Sequence, residues 1–192
     1  MKKSLEAKLY KKYPKLFRQK DLPMSETAMC WNFQCDDGWW NLIDKTCAKI
    51  VKVDPEAEVN TVKEKFGTLR IYLDHANNEA QQIEWDVIDE SSKVCEQCGK
   101  VGKTVVIDNW YFTVCKKHEK EILTKKKKEE EKWENEVKDM WFKWLKYTAK
   151  KKCAVLEPIE FKRWLATLKS DGFAAREAWD RYAVGDGKGE IK

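Results

Sequence analysis

Histidine is nearly absent from this chain: His75 and His118 are the only two among 192 residues. So small a number leaves little room for imidazole acid–base catalysis, and neither histidine stands at a telling spacing from a candidate nucleophile. Long apolar runs are missing too. No stretch of about 18 apolar residues exists, which excludes a membrane-spanning helix. Met1-Lys2-Lys3 leads into charged, periodic sequence without an apolar core segment, so no secretory leader is expected. No glycine-rich phosphate loop and no G-x-S-x-G elbow occurs, and no internal repeat is visible. Enzyme function is therefore not expected.

What the chain does have is seven cysteines, three of them grouped with His118. Cys95 and Cys98 form C-x2-C; after sixteen intervening residues Cys115 and His118 form C-x2-H. Soft thiolates and one imidazole, two donors from each of two tight turns, suit one tetrahedral zinc ion. Four protein donors close the coordination sphere, so such an ion braces a fold and performs no chemistry. A redox or buried thiol pair beside an unrelated histidine is the bland alternative. Gly99 supplies the freedom a knuckle needs. Residues 104–107 and 110–114 read as two strands about an Asp108-Asn109 turn. Residues 116–123 read as a helix, and neither proline nor glycine interrupts the sequence until Pro158. Knuckle, hairpin and helix in that order form a treble-clef or ribbon-like zinc module. A treble-clef nuclease needs a histidine on that hairpin, and there is none. The acidic groups Asp36-Asp37 and Asp86, Asp89, Glu90 leave a magnesium-dependent nuclease as a remote third reading, since they lack the separation of a two-metal site. Cys30, Cys35, Cys47 and Cys153 remain as thiols, which points to the reducing cytoplasm.

The net charge of +5 hides a patchwork. Residues 1–20 hold eight basic and one acidic side chain, while residues 21–94 hold seven basic and fifteen acidic. A nucleic-acid footprint would be a basic stripe through the structured core, and here the core segment is acidic. Periodicity predicts a helix over 4–17 broken at Pro14 and a short strand over 30–35. A second helix from Trp39 buries Leu42, Ile43, Cys47 and Ile50, with Asp36 or Asp37 as cap. Residues 59–73 predict a hairpin turning at Phe66-Gly67, with Phe66 folded onto the core. An amphipathic helix over 79–94 leads to the knuckle. Arg70 is expected beside Lys65 and in a salt bridge with Asp44. His75 reads as a surface residue. The fold class is α+β: an α+β unit over 1–94, a zinc module over 95–123, and a helical extension over 124–192.

That extension repeats Trp133, Trp141, Trp144, Trp164 and Trp179 at helical spacings over three expected helices. Most such rings pack helices together, but tryptophan also dominates interface hot spots. These five are the candidate partner-binding residues, for another protein or for a second copy of the chain. Lys100, Lys103, Lys116, Lys117 and Lys120, with the basic segment 2–20, are the candidates for a nucleic-acid contact.

Three stretches carry a resemblance. They are Cys35-Asp36-Asp37-Gly38-Trp39-Trp40 running into Leu42-Ile43-Asp44, then Val62-Lys63-Glu64-Lys65-Phe66-Gly67-Thr68-Leu69-Arg70-Ile71-Tyr72, and the Cys95-Glu96-Gln97-Cys98-Gly99-Lys100 knuckle with Trp110 and Cys115 to His118. In this order residues 5–120 resemble a family of small, uncharacterised zinc-binding proteins encoded by bacteriophages and prophages. Asp36-Asp37-Gly38-Trp39 departs slightly from the Gly-Asp-Gly-Trp of similar proteins. The resemblance implies a zinc-binding phage accessory protein and brings no activity with it. The expectation is an interaction protein in the host cytoplasm that binds a host or defence-system protein and inhibits or redirects it. The alternative is a nucleic-acid-binding zinc protein that modulates transcription or DNA processing.

Overall fold

A computed structural model describes residues 1–151, leaving Cys153, Trp164, Trp179 and the last two expected helices outside the described residues. The chain divides into two compact units, Met1–Leu123 and Thr124–Lys192. The first unit is α+β. Helix α1 (Lys3–Lys12) precedes strand β1 (Phe33–Gln34), helix α2 (Trp40–Val53) and the hairpin β2 (Glu58–Lys65) and β3 (Thr68–Asp74). Helix α3 (Asn78–Ser91) and a second hairpin of β4 (Lys103–Ile107) and β5 (Trp110–Val114) follow, and the long helix α4 (Lys116–Lys151) begins in the first unit and continues into the second. Short 3-10 turns fill Arg18–Asp21, Met29–Trp31 and Asp37–Trp39.

The core forms where helical and strand periodicities meet. Leu42, Ile43, Cys47 and Ile50 share one face of α2 and are buried, as their spacing predicts. They meet Val62, Leu69 and Ile71 from the hairpin, Val87 from α3, and Leu9, Leu16 and Phe17 from the first segment. Each large side chain removed from water here contributes roughly 1.5–3 kcal/mol. Strand β1 pairs parallel with β2, and β2 antiparallel with β3, giving sheet order β1-β2-β3; β4 and β5 form a separate two-stranded ribbon. Helix α3 starts one residue before the expected point because the Asn77 side chain caps it, accepting the Ala80 N–H at 2.9 Å.

Four local expectations are corrected. The strand expected over 30–35 shrinks to Phe33–Gln34, since Asn32 adopts a left-handed φ of 59° and ends a 3-10 turn. Neither Asp36 nor Asp37 caps α2; Asp37 instead accepts the Lys2 N–H at 2.7 Å and ion-pairs with the Lys2 ammonium. Asp44 is held by Lys12 at 2.8 Å and by the Tyr13 hydroxyl, so it makes no bridge to Arg70; Arg70 stands opposite Lys63, on the same face of the hairpin as Lys65. Phe66 does not fold onto the core: it is 61% exposed at the hairpin tip.

The charge patchwork resolves inside the first unit. Lys2, Lys12, Lys15 and Arg18 ion-pair with Asp37, Asp44, Glu56 and Glu58, all from the acidic stretch. The basic beginning of the chain thus neutralises its acidic middle. Each exposed pair adds little stability, but together they engage four of the segment's eight cations.

Candidate metal centre

Cys95 and Cys98 arrive on a knuckle that follows α3. The Gly99 N–H donates to the Cys95 carbonyl at 2.8 Å, and the Cys95 N–H donates to the Lys100 carbonyl at 2.7 Å. Gly99 closes this turn at φ 72°, where a side chain would be strained. The Lys100 N–H is directed at the Cys98 sulfur. Cys115 and His118 come from the start of α4. The Cys115 carbonyl accepts the Glu119 N–H at 2.9 Å, opening the helix, and the His118 and Lys117 backbone N–H groups hold the Cys115 thiol below its usual pKa. Free N–H groups at a helix start favour thiolate in this way.

The ribbon β4–β5 brings the two pairs together. Its turn, Asp108-Asn109, has both residues at positive φ, the geometry of a two-residue type I′ hairpin. The four donor atoms lie within 4.8 Å of one another. Cys98 and Cys115 sulfurs are 3.9 Å apart, and His118 Nδ1 lies 3.2 Å from the Cys95 sulfur and 3.4 Å from that of Cys115. A tetrahedral ion at zinc–sulfur and zinc–nitrogen bond lengths places such atoms about 3.8 Å and 3.5 Å apart. The residues present therefore fit one tetrahedral ion. His118 turns Nδ1 to the thiols, and its Nε2 faces outward with Glu121 Oε2 3.7 Å away, beyond hydrogen-bond length. Cys95 is buried and Cys98 exposed, so the centre lies at the surface with one wall in the core. Four donors leave no coordination position for substrate.

Sequence reasoning found the donors and missed what holds them. Gly38 packs against the knuckle: its N–H donates to the Glu96 carbonyl at 2.7 Å. A Cβ there would fall within 3.0 Å of Cys95 O, Glu96 O and Cys98 N. The Trp39 indole N–H donates to the Val94 carbonyl at 2.8 Å. Gly67 packs against the ribbon, where an added Cβ would meet Thr104 and Phe112, and its carbonyl accepts the fully buried Thr113 hydroxyl. The three separated motifs of the sequence thus meet around the donors. An exposed-looking glycine in an otherwise helical or turn context was the one available signal.

The remaining candidate residues are dispersed. Lys103 ion-pairs with Glu119, and Lys117 with Glu121. Lys116 and Lys120 lie with them on the first turns of α4, and Lys100 on the knuckle. Trp133, Trp141 and Trp144 all fall on α4, and Trp133 is half-buried there. His75 is exposed at a left-handed φ of 56°. No helix among the described residues is long and apolar enough to cross a membrane. Comparison of the chain with family models, curated proteins and solved structures gives no match.

Proposed function

We propose that the chain is a binding protein braced by one structural zinc ion, an accessory protein of the phage type. It acts in the host cytoplasm by holding a host or defence-system protein and inhibiting or redirecting it. The zinc module is a treble clef: knuckle, ribbon, then the first turns of α4. The observation that carries the reading is the contrast between a closed four-donor centre, which welds three distant motifs into a scaffold, and the large rings that scaffold leaves in water. Trp31, Trp85 and Trp110 are 54%, 68% and 71% exposed. Burying a tryptophan normally removes 150–250 Å² from water, so rings left outside are available to an interface. The tryptophans of the helical extension add to that capacity, toward a partner or a second copy.

The test is capture of partners from a nuclease-treated bacterial lysate by zinc-loaded protein, followed by an activity assay of any protein retained. A stoichiometric partner whose activity changes on binding supports the reading. Retention of no protein at moderate salt overturns it.

A further inference from the structure

The outer face of the β2–β3 hairpin carries a cluster that the zinc centre does not use. The register sets Lys63 opposite Arg70, Lys65 opposite Thr68 and Thr61 opposite Tyr72. Residues directly opposite, and residues two apart along a strand, project to the same side, so Lys63, Lys65, Arg70 and Tyr72 share one face. The other face bears Val62, Leu69 and Ile71 and is core. Like charges directly opposite on a ladder destabilise it unless an anion lies over them. None of the ion pairs described above engages Lys63, Lys65 or Arg70. Lys63 Nζ instead lies 5.4 Å from the Tyr72 ring centre, and Lys65 Nζ 5.4 Å from that of Phe66.

Beside these cations the tips of the two hairpins enclose a cleft of about 310 Å³ lined by Glu64, Lys65, Phe66, Asn109, Trp110 and Tyr111. Phe66 and Tyr111 meet edge to face at 5.9 Å, and Phe66, Tyr111 and Trp110 are 61%, 46% and 71% exposed. Two acids lie nearby. Glu64 is engaged by the Gly67 N–H at 2.5 Å, and Asp108 forms the ribbon turn. Phe66 holds φ at 54°, a left-handed conformation that disfavours a bulky residue, so an exposed ring is kept at a conformational cost.

We propose that this face binds single-stranded nucleic acid, with bases stacking on Trp110, Phe66 and Tyr111 and phosphates resting on Lys63, Lys65 and Arg70. Flat rings accept any base, and cations two residues apart on a strand are about 6.6 Å apart, near the phosphate repeat of an extended single strand. An acidic protein surface would satisfy the cations but offers nothing flat for the rings. The site uses residues different from the lysines on the knuckle and α4. It goes beyond the protein-partner proposal and neither requires nor excludes it.

The experiment is a fluorescence titration of zinc-loaded full-length protein with oligothymidylate, with unlabelled duplex and polyglutamate as competitors. Saturable quenching of tryptophan emission is expected, reversed weakly by either competitor. Trp110→Ala with Phe66→Ala should weaken binding roughly tenfold or more, by loss of stacking. Lys63→Gln, Lys65→Gln and Arg70→Gln together should lower the slope of log affinity against log salt by about 2, at roughly 0.7 for each phosphate contact on a single strand. Lys11→Gln with Lys15→Gln, on the first segment, should change neither. Zinc content and far-ultraviolet dichroism, measured on every variant, confine the comparison to folded protein. Absence of binding at low salt, equal competition by polyglutamate or duplex, or full affinity in the folded ring and cation variants overturns the proposal.

Discussion

Gly38 and Glu96 stand back to back: the Gly38 amide donates to the Glu96 carbonyl at 2.7 Å, with no space left between the two backbones for a side chain. Fifty-eight positions apart in sequence, they join the start of α2 to the metal knuckle. The knuckle is thus shaped from outside as well as by its own turn. Asp36 N–H reinforces the joint by donating to Glu96 Oε1 at 3.1 Å.

Gly38→Ala is therefore expected to act on the metal centre through the knuckle backbone, without replacing a donor. The methyl group meets three backbone atoms that cannot rotate away, and overpacking of that kind costs about 1–3 kcal/mol or more. A urea titration should report the loss in stability, and a chelator competition should report weaker zinc retention. Unchanged zinc affinity in this variant would separate the knuckle from α2 and contradict the packing described.

Metal removal should expose a defined set of thiols. Burial pushes the Cys35 thiol up to about 12, with Glu96 adding to it, and burial raises Cys47 further. Both should stay silent toward an alkylating reagent at neutral pH in the loaded protein, since the thiolate is the reactive form. Chelation should make Cys95, Cys98 and Cys115 reactive as their metal bonds are lost. Mass mapping of the labelled cysteines distinguishes the two groups. Equal labelling of Cys98 and Cys115 before and after chelation would show that no metal is held.

How much of this was legible in the sequence follows from how local each signal is. The four donors were readable because their spacing is a property of two short turns. The α2 stripe through Ile43, Cys47 and Ile50 and the two hairpins were readable for the same reason: periodicity and turn residues act within a few positions. Contacts between segments were not. Asp44 had both Lys12 and Arg70 within conceivable reach, and only the packing of the first segment on α2 selects Lys12. Asp37 has a capping residue's chemistry, yet the Lys2 backbone takes its carboxylate. The dense positive charge of residues 1–20 suggested an external anion, whereas the fold supplies internal ones in Asp37, Asp44, Glu56 and Glu58. Phe66 read as core because phenylalanine usually is, and only the type I′ geometry of its turn sends it outward.

Acid should weaken one identifiable pair. Arg18 donates to Glu58 at 2.5 Å, Gln19 also donates to that carboxylate, and the Glu58 pKa lies below its usual value chiefly because of Arg18. Ionised Glu58 is thus favoured in the fold. Its contribution is complete above the unfolded value of about 4.3 and is lost as pH falls through the lower folded value. Arg18→Ala should reduce stability at neutral pH by no more than about 1 kcal/mol, since the guanidinium is partly exposed. The difference between parent and variant should narrow on acidification below that range, and also on addition of salt, leaving the part owed to the Arg18 bond with the Glu56 carbonyl. A gap that widened with acidification would assign Arg18 a role other than this pair.

Phe66→Asn should separate stability from binding. Asparagine tolerates the left-handed backbone that Phe66 occupies, and relief of that strain is worth about 1 kcal/mol. The ring is 61% exposed, so its removal forfeits little buried area. The variant should melt at a higher temperature, keep its zinc, and bind oligothymidylate more weakly than the parent. A lower melting temperature would mean that the contact with Tyr111 stabilises the tip more than the backbone strains it. Those two effects act on the same residue in opposite directions, so the sign of the change decides which one governs the hairpin tip.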